Sequence, residues 1–211
     1  MSGRKQFDVD EALDRAMRVF WELGYAETSL DTLGRATGLG RGSLYGAFGA
    51  KDDLFRRSLE RYAALYEHRY EATVDAHAGD PVAAVGAYLD VVLDRIADPE
   101  VPAGCLVVQS ATQLPTLSPE SRKAVNRAVT AQRGRVRRAL DAASADHEPA
   151  ELDSLALLVV GVQHAIVVLS RTGAPAADLR SLAAAGVQAV ADRLAVTTPK
   201  STETSRSSRR T

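Results

Sequence analysis

Five glycines and a lysine crowd into GLGRGSLYGAFGAKDDLF, residues 38–55, and two kinds of phosphate chemistry use such a composition. A loop that wraps a nucleotide needs G-x-x-x-x-G-K-[ST] or G-x-G-x-x-G between a strand and a helix whose N-terminus faces the anion. Neither spacing occurs. Gly49-Ala50-Lys51 interrupts the first pattern, Tyr45 stands where the second requires glycine, and the preceding segment reads as helix. The remaining reading is a short helix laid into duplex DNA. Arg41 carries a fork suited to guanine O6 and N7, Gly42 lets the backbone approach closely, and Ser43 and Tyr45 add contacts. Thr28 and Ser29, at the start of the preceding helix, are placed to cap it and to offer backbone N–H groups to phosphate. Lys51 opens the next helix as a phosphate clamp.

A second set of polar side chains interrupts apolar helices: Tyr88, Cys105, Gln109, Gln113, Gln163 and His164. A buried polar group needs a partner, and a small molecule is one way to supply it. The other reading of each is a core residue satisfied within the protein. Cys105 is either a small hydrophobe or a reactive thiol, depending on what surrounds it. No catalytic residue is expected: there is no G-x-S-x-G elbow and no H-E-x-x-H. His68, His77, His147 and His164 fall at no ligand-like interval, so neither a metal nor a cofactor is expected.

These residues need elements to position them. Asp8 and Glu11 form a D-x-x-E helix start, and Val9, Leu13, Ala16, Met17 and Phe20 then recur at three and four spacings up to Gly24. A second helix runs from a Thr28 or Ser29 cap to Gly38, with Leu30, Leu33 and Ala36 inside. A third, about Arg41 to Phe48, is anchored by Leu44 and Phe48 at i, i+4. Two helices joined by a short glycine turn after a supporting helix make a helix-turn-helix. A long fourth helix from Lys51 toward residue 77 leads into five more, at 81–97, 104–113, 119–143, 149–170 and 176–195. The expectation is an all-α chain of about nine helices: a flexible arm at 1–6 with Arg4 and Lys5, a helix-turn-helix domain at 7–50, a helical bundle at 51–196 and a disordered tail at 197–211.

Composition narrows the class. The chain has 211 residues, 45% hydrophobic, a formal net charge of -1 and one cysteine. That cysteine and the absence of a secretion signal point to a reducing cytoplasm. Leu152 to Leu169 is strongly apolar, but Gln163 and His164 interrupt it, so a buried helix is expected rather than a membrane span. Arg122, Lys123, Arg127, Arg133, Arg135, Arg137 and Arg138 cluster on one helix, with Val125, Val129, Val136 and Leu140 as its inner face, and read as a solvated surface. Trp21 and Tyr25 read as core or junction residues.

AMRVFWELGYAETSLDTLGRATGLGRGSLYGAFGAKDDLF, with its F-x-x-x-G-Y-x-x-T-S junction and G-S-L-Y-x-x-F-x-x-K-x-x-L run, resembles the DNA-binding domain of the TetR-type transcriptional regulators. The likeness covers residues 7–62; the rest is similar to the family in helix number and layout, with GCLVV at 104–108 similar to a segment in some members. The resemblance implies a homodimer that represses transcription from a palindromic double-stranded operator and releases it when a small-molecule effector enters the C-terminal domain. It also implies that Tyr45 meets phosphate. The family often has a bulky polar or aromatic pair after Leu-Tyr, whereas Gly46 and Ala47 stand here, so DNA shape is expected to supply part of the readout. A constitutive or architectural DNA-binding protein without an inducer is the competing reading. For the dimer, the stripes Leu155, Val159, Val162, Ile166 and Leu182, Gly186, Val187, Val190 are expected to pair with a two-fold copy in a four-helix interface, Gly161 and Gly186 allowing close crossing.

Overall fold

The structure is a computed structural model that describes residues 8–196; the arm at 1–6 and the tail at 197–211 lie outside the described residues. Among those described there are nine α-helices and no strand. Helix α1 (Val9–Glu27) begins where Asp8 caps it, its carboxylate accepting from the amides of Asp10 at 2.9 Å and Glu11 at 3.2 Å. Its inner face, Ala12, Ala16, Met17, Phe20 and Trp21, is buried. The helical path breaks at Gly24, whose φ of 79° and ψ of 173° are open only to glycine. Helix α2 (Leu30–Thr37) is capped by Ser29, and α3 (Arg41–Phe48) ends at Gly49. These bounds agree with the sequence spacing because each end is set by local chemistry.

Helix α4 (Lys51–Asp75) belongs to both halves of the molecule. Its first turn seats α3, and the remainder, 25 residues long in all, packs on the bundle. Helices α5 (Pro81–Ala97), α6 (Leu106–Ala111), α7 (Pro119–Ala139), α8 (Pro149–Arg171) and α9 (Ala176–Leu194) complete the fold. Proline stands at the start of α5, α7 and α8, where its missing N–H would have had no helical partner. Two helices are shorter than the sequence spacing predicts. Gly104, with φ of 92°, delays α6, and a 3-10 turn at Asp141–Ala143 replaces the end of α7. One continuous core joins all nine helices.

Burial corrects the expected dimer stripes. Leu155, Val159, Ile166, Gly186 and Val190 are buried within the chain's own bundle, and Val162, Leu182 and Val187 pack partly buried against that core. The close crossing at Gly186 is intramolecular: a Cβ there would stand 3.1 Å from the methyl groups of Val162. The opposite face of α8 is the open one. Leu157, Leu158, Val168 and Leu169 are 41–59% exposed, with Gly161 exposed between them. At 23 residues, one more than the spacing predicts, α8 is long and apolar enough to meet the length and composition of a membrane span; its inner face packs on α7 and α9.

The α7 cations are less solvated than their number suggests. Arg135 is buried at 8% exposure, lying 5.6 Å over the Tyr70 ring and 3.7 Å from the Glu67 carboxylate. Arg133, Arg137 and Arg138 pair with Asp153, Asp141 and Glu71. Long stems let these charges cover apolar surface while meeting acids from neighbouring helices.

Candidate nucleic-acid interface and buried polar cluster

Two buried side chains hold α3 in place. Leu44 and Phe48 are 2% and 1% exposed, and helical periodicity turns Arg41, Gly42, Ser43, Tyr45 and Gly46 to the other side, where all five are exposed. Tyr45 alone presents a 52% exposed ring. The far end of α3 is fastened by Arg57, which donates to the Ala47 carbonyl at 3.2 Å and lies 5.9 Å over the Phe48 ring. Gly49 has φ of 81°, and a Cβ on it would stand 2.6 Å from Asp53. That same carboxylate accepts from the Ala50 amide at 3.0 Å and so starts α4. A short helix with five polar or open positions outward and two large hydrophobes inward is therefore presented rigidly.

The other expected DNA contacts divide. Ser29 is exposed and caps α2, its hydroxyl accepting from the Thr32 amide at 3.0 Å. Thr28 is 1% exposed and donates to the Gly24 carbonyl at 2.6 Å. Its side chain is an internal brace for the break after α1, and the expected capping role belongs to Ser29 alone. Lys51 is half-buried with Nζ 4.2 Å over the Tyr25 ring; burial lowers its pKa, opposed by Glu27. Arg41 is engaged by Asp31 of α2, with Nε and Nη2 at 3.1 and 2.8 Å from one carboxylate oxygen. The open cleft between α3 and α7, about 650 Å³, mixes Arg56, Arg57, Lys123 and Arg127 with Asp53, Glu60 and Glu120, so it has little preference for either sign.

Side chains from the bundle reach this headpiece at three points. Asp52 of α4 accepts from Ser118 at 2.9 Å and Ser121 at 2.7 Å, both at the start of α7. Gln113, after α6, accepts from the Ala26 amide at 3.2 Å and occupies the space beside Gly24. It is a strut at the junction rather than a pocket residue. Arg171, at the end of α8, donates to the carbonyls of Trp21 at 3.4 Å and of Glu22 and Ala103 at 3.2 Å.

Of the polar residues expected in a pocket, Tyr88, Cys105 and Gln163 are buried, and Gln109 and His164 partly so. Tyr88 donates to Gln163. Cys105 and His164 belong to one hydrogen-bonded chain: Arg95 to Tyr62, Tyr62 to Cys105 Sγ at 3.2 Å, Gln132 to Cys105 Sγ at 3.9 Å, and His164 Nε2 to Gln132 Oε1 at 3.0 Å. Burial pushes the Cys105 thiol up, but the Arg95 charge and the Tyr62 hydroxyl outweigh it and draw the pKa down. Burial lifts the Tyr70 phenol to about 12 and lowers the His164 pKa. The imidazole is thus neutral at pH 7, with Nε2–H donating to Gln132.

Arg95, Tyr62 and Gln132 were not singled out by the sequence reading. A signal for Arg95 existed: position 95 continues the inner stripe Tyr88, Val91, Val92 of α5 at helical spacing, where an arginine is out of place.

Comparison with known proteins agrees with this architecture. Residues 12–57 match the family described as "Bacterial regulatory proteins, tetR family", and residues 81–185 match "Tetracyclin repressor-like, C-terminal domain". The HTH-type transcriptional repressor ComR of Escherichia coli (strain K12) is 38% identical over 117 residues, covering 56% of this chain and 54% of ComR. The HTH-type regulator YezE of Bacillus subtilis (strain 168) is 34% identical over 125 residues, 57% of this chain and 61% of YezE. The chain thus spans little more than half the length of these two relatives. A solved structure of the TetR family regulator CifR, a cysteine mutant complexed with 26bp double-strand operator DNA, superposes with a TM-score of 0.76 at 31% identity, over 88% of this chain and 97% of that one. With matches to both halves and a relative aligned over nearly its whole length, the chain belongs to the TetR family of bacterial transcriptional regulators.

Proposed function

We propose that the chain is a ligand-responsive repressor that binds a palindromic operator as a homodimer. One observation carries the reading: α3 exposes Arg41, Gly42, Ser43, Tyr45 and Gly46 together while Leu44 and Phe48 lock its other side. In this reading α3 enters the major groove, Arg41 and Ser43 meet base edges, and Tyr45, the first turn of α2 behind Ser29, and Lys51 meet phosphates. The operator-bound CifR structure, 31% identical, supports the DNA partner. Dimerisation uses the exposed face of α8 rather than the buried stripes. Leu157, Leu158, Val168 and Leu169 need cover, and Gly161 lets a two-fold copy of α8 come close. The effector lodges in the bundle, where the polar chain through Cys105 and His164 joins α4 to α8, and the struts from Gln113 and Arg171 carry its effect to α1.

Selection of binding sites from random duplex DNA tests the proposal. The expected product is a palindrome whose half-sites lie about 34–36 Å apart, or a multiple of that, on one face of the helix. Failure to enrich any duplex with the full-length protein would overturn it.

A further inference from the structure

Arg95 is 3% exposed, and no carboxylate pairs with it among the described residues. One nitrogen, Nη1, donates to the Tyr62 phenol; Nε and Nη2 have no acceptor. The hydrogens on Nε and Nη2 lie along one edge of the planar guanidinium, pointing the same way and spaced to meet both oxygens of a carboxylate. Aromatic rings pack against the guanidinium: Trp21, Tyr62 and Tyr66 have centroids 5.8, 5.9 and 5.4 Å from its carbon. Trp21 is itself 1% exposed, and its indole N–H is also without an acceptor. Three unpartnered N–H donors thus belong to two side chains of one aromatic cluster.

Donor groups left unpaired in an apolar interior are costly, and a fixed positive charge more so. The sign of what is missing follows. A cation is repelled, and an apolar molecule satisfies none of the three donors. A planar anion with two acceptor oxygens satisfies the arginine edge, and an apolar body on it suits the rings. The Cys105 sulfur interacts with the Arg95 charge but does not fill this role, since Nε and Nη2 still have no acceptor beside it.

We propose that the Nε–Nη2 edge of Arg95, with the indole N–H of Trp21, binds the carboxylate of a small monocarboxylic acid whose apolar part lies among the rings of α1 and α4. This rests on the effector-responsive reading above and gives that effector its chemical class. The position is suited to control: Trp21 lies on α1, three residues before the break at Gly24, and its carbonyl is held by Arg171.

The test uses the full-length protein, with sodium butyrate and sodium benzoate as probes, butyramide and benzamide as uncharged matches, and sodium sulfate as a tetrahedral anion. Calorimetric titration should show each acid binding while its amide and sulfate do not. Trp21→Phe keeps an aromatic ring in place and removes one charge-assisted hydrogen bond, so it should weaken acid binding about tenfold or more. Arg95→Gln should abolish it. Equal binding of acid and amide, sulfate binding as well as the acids, no binding of either acid at millimolar concentration, or unchanged affinity in Trp21→Phe would each overturn the proposal. Operator release is read separately by anisotropy. An acid that binds as described without releasing DNA refutes the effector reading and leaves the site standing. Release by an uncharged compound when neither acid binds refutes the site and leaves the regulator reading standing.

Discussion

Arg41 gives two of its hydrogens to a single oxygen of Asp31, so the guanidinium edge suited to guanine is turned toward α2 in the free protein. Both side chains are more than half exposed, and an exposed pair contributes little to stability. Its effect falls on recognition. Asp31→Asn should leave the melting temperature nearly unchanged, tighten operator binding and free Arg41 for any duplex, which anisotropy titrations on specific and random DNA will show. Arg41→Ala should cost about 1–3 kcal/mol of specific binding and relax preference at one base pair per half-site. Equal weakening on every operator variant would assign Arg41 to phosphate instead.

The break at Gly24 yields a stability prediction. Its backbone lies in a region essentially confined to glycine, and a Cβ there would stand 2.3 Å from the Gln113 amide nitrogen. Gly24→Ala should therefore lose about 1–3 kcal/mol from backbone strain, and more from the clash. The double variant Gly24→Ala with Gln113→Ala should recover the clash component only. Urea unfolding of the four proteins in the cycle separates the two.

His164 predicts a pH dependence. Burial holds its folded-state pKa below the ordinary 6.5, so between those two values the unfolded chain binds more protons than the folded one. Stability from this residue is then fully present above about pH 6.5 and falls as pH drops toward the folded pKa. His164→Gln retains a donor for Gln132 and should flatten that part of the curve. A wild-type melting temperature that rises on acidification through this window, or a His164→Gln curve with an unchanged slope, would exclude this account.

Opposite faces of α8 should respond differently to substitution. Leu157→Arg combined with Val168→Arg should yield a folded monomer by light scattering, because both positions are exposed in the single chain. Ile166→Ala, at 0% exposure, should instead lower stability by about 2–5 kcal/mol and leave a dimer. The reverse result would restore the stripe that the sequence spacing suggests.

That contrast shows where sequence was informative. The bounds of α2 and α3 were legible because a serine cap, three turn glycines and the Leu44–Phe48 pair act locally. Which face of α8 lies inside was not, since Leu155, Val159 and Ile166 on one side and Leu157, Leu158 and Val168 on the other are equally apolar. Periodicity finds a stripe only against a polar background. Thr28 and Ser29 have similar hydroxyls, and only the turn of the chain at Gly24 decides that one braces the interior while the other caps α2. The polar cluster was half legible. Cys105 and His164 stood out as intrusions in apolar runs, whereas Gln132 was hidden in a helix already rich in polar residues.

Arg171 reaches back 150 residues to the carbonyl of Trp21, and this has a consequence during synthesis. At the usual pace of about 5–20 residues per second, α1 leaves the ribosome roughly seven to thirty seconds before the side chain that anchors its end. Until then the headpiece is a nascent segment with its terminal carbonyls in water, and its final docking waits on translation of α8.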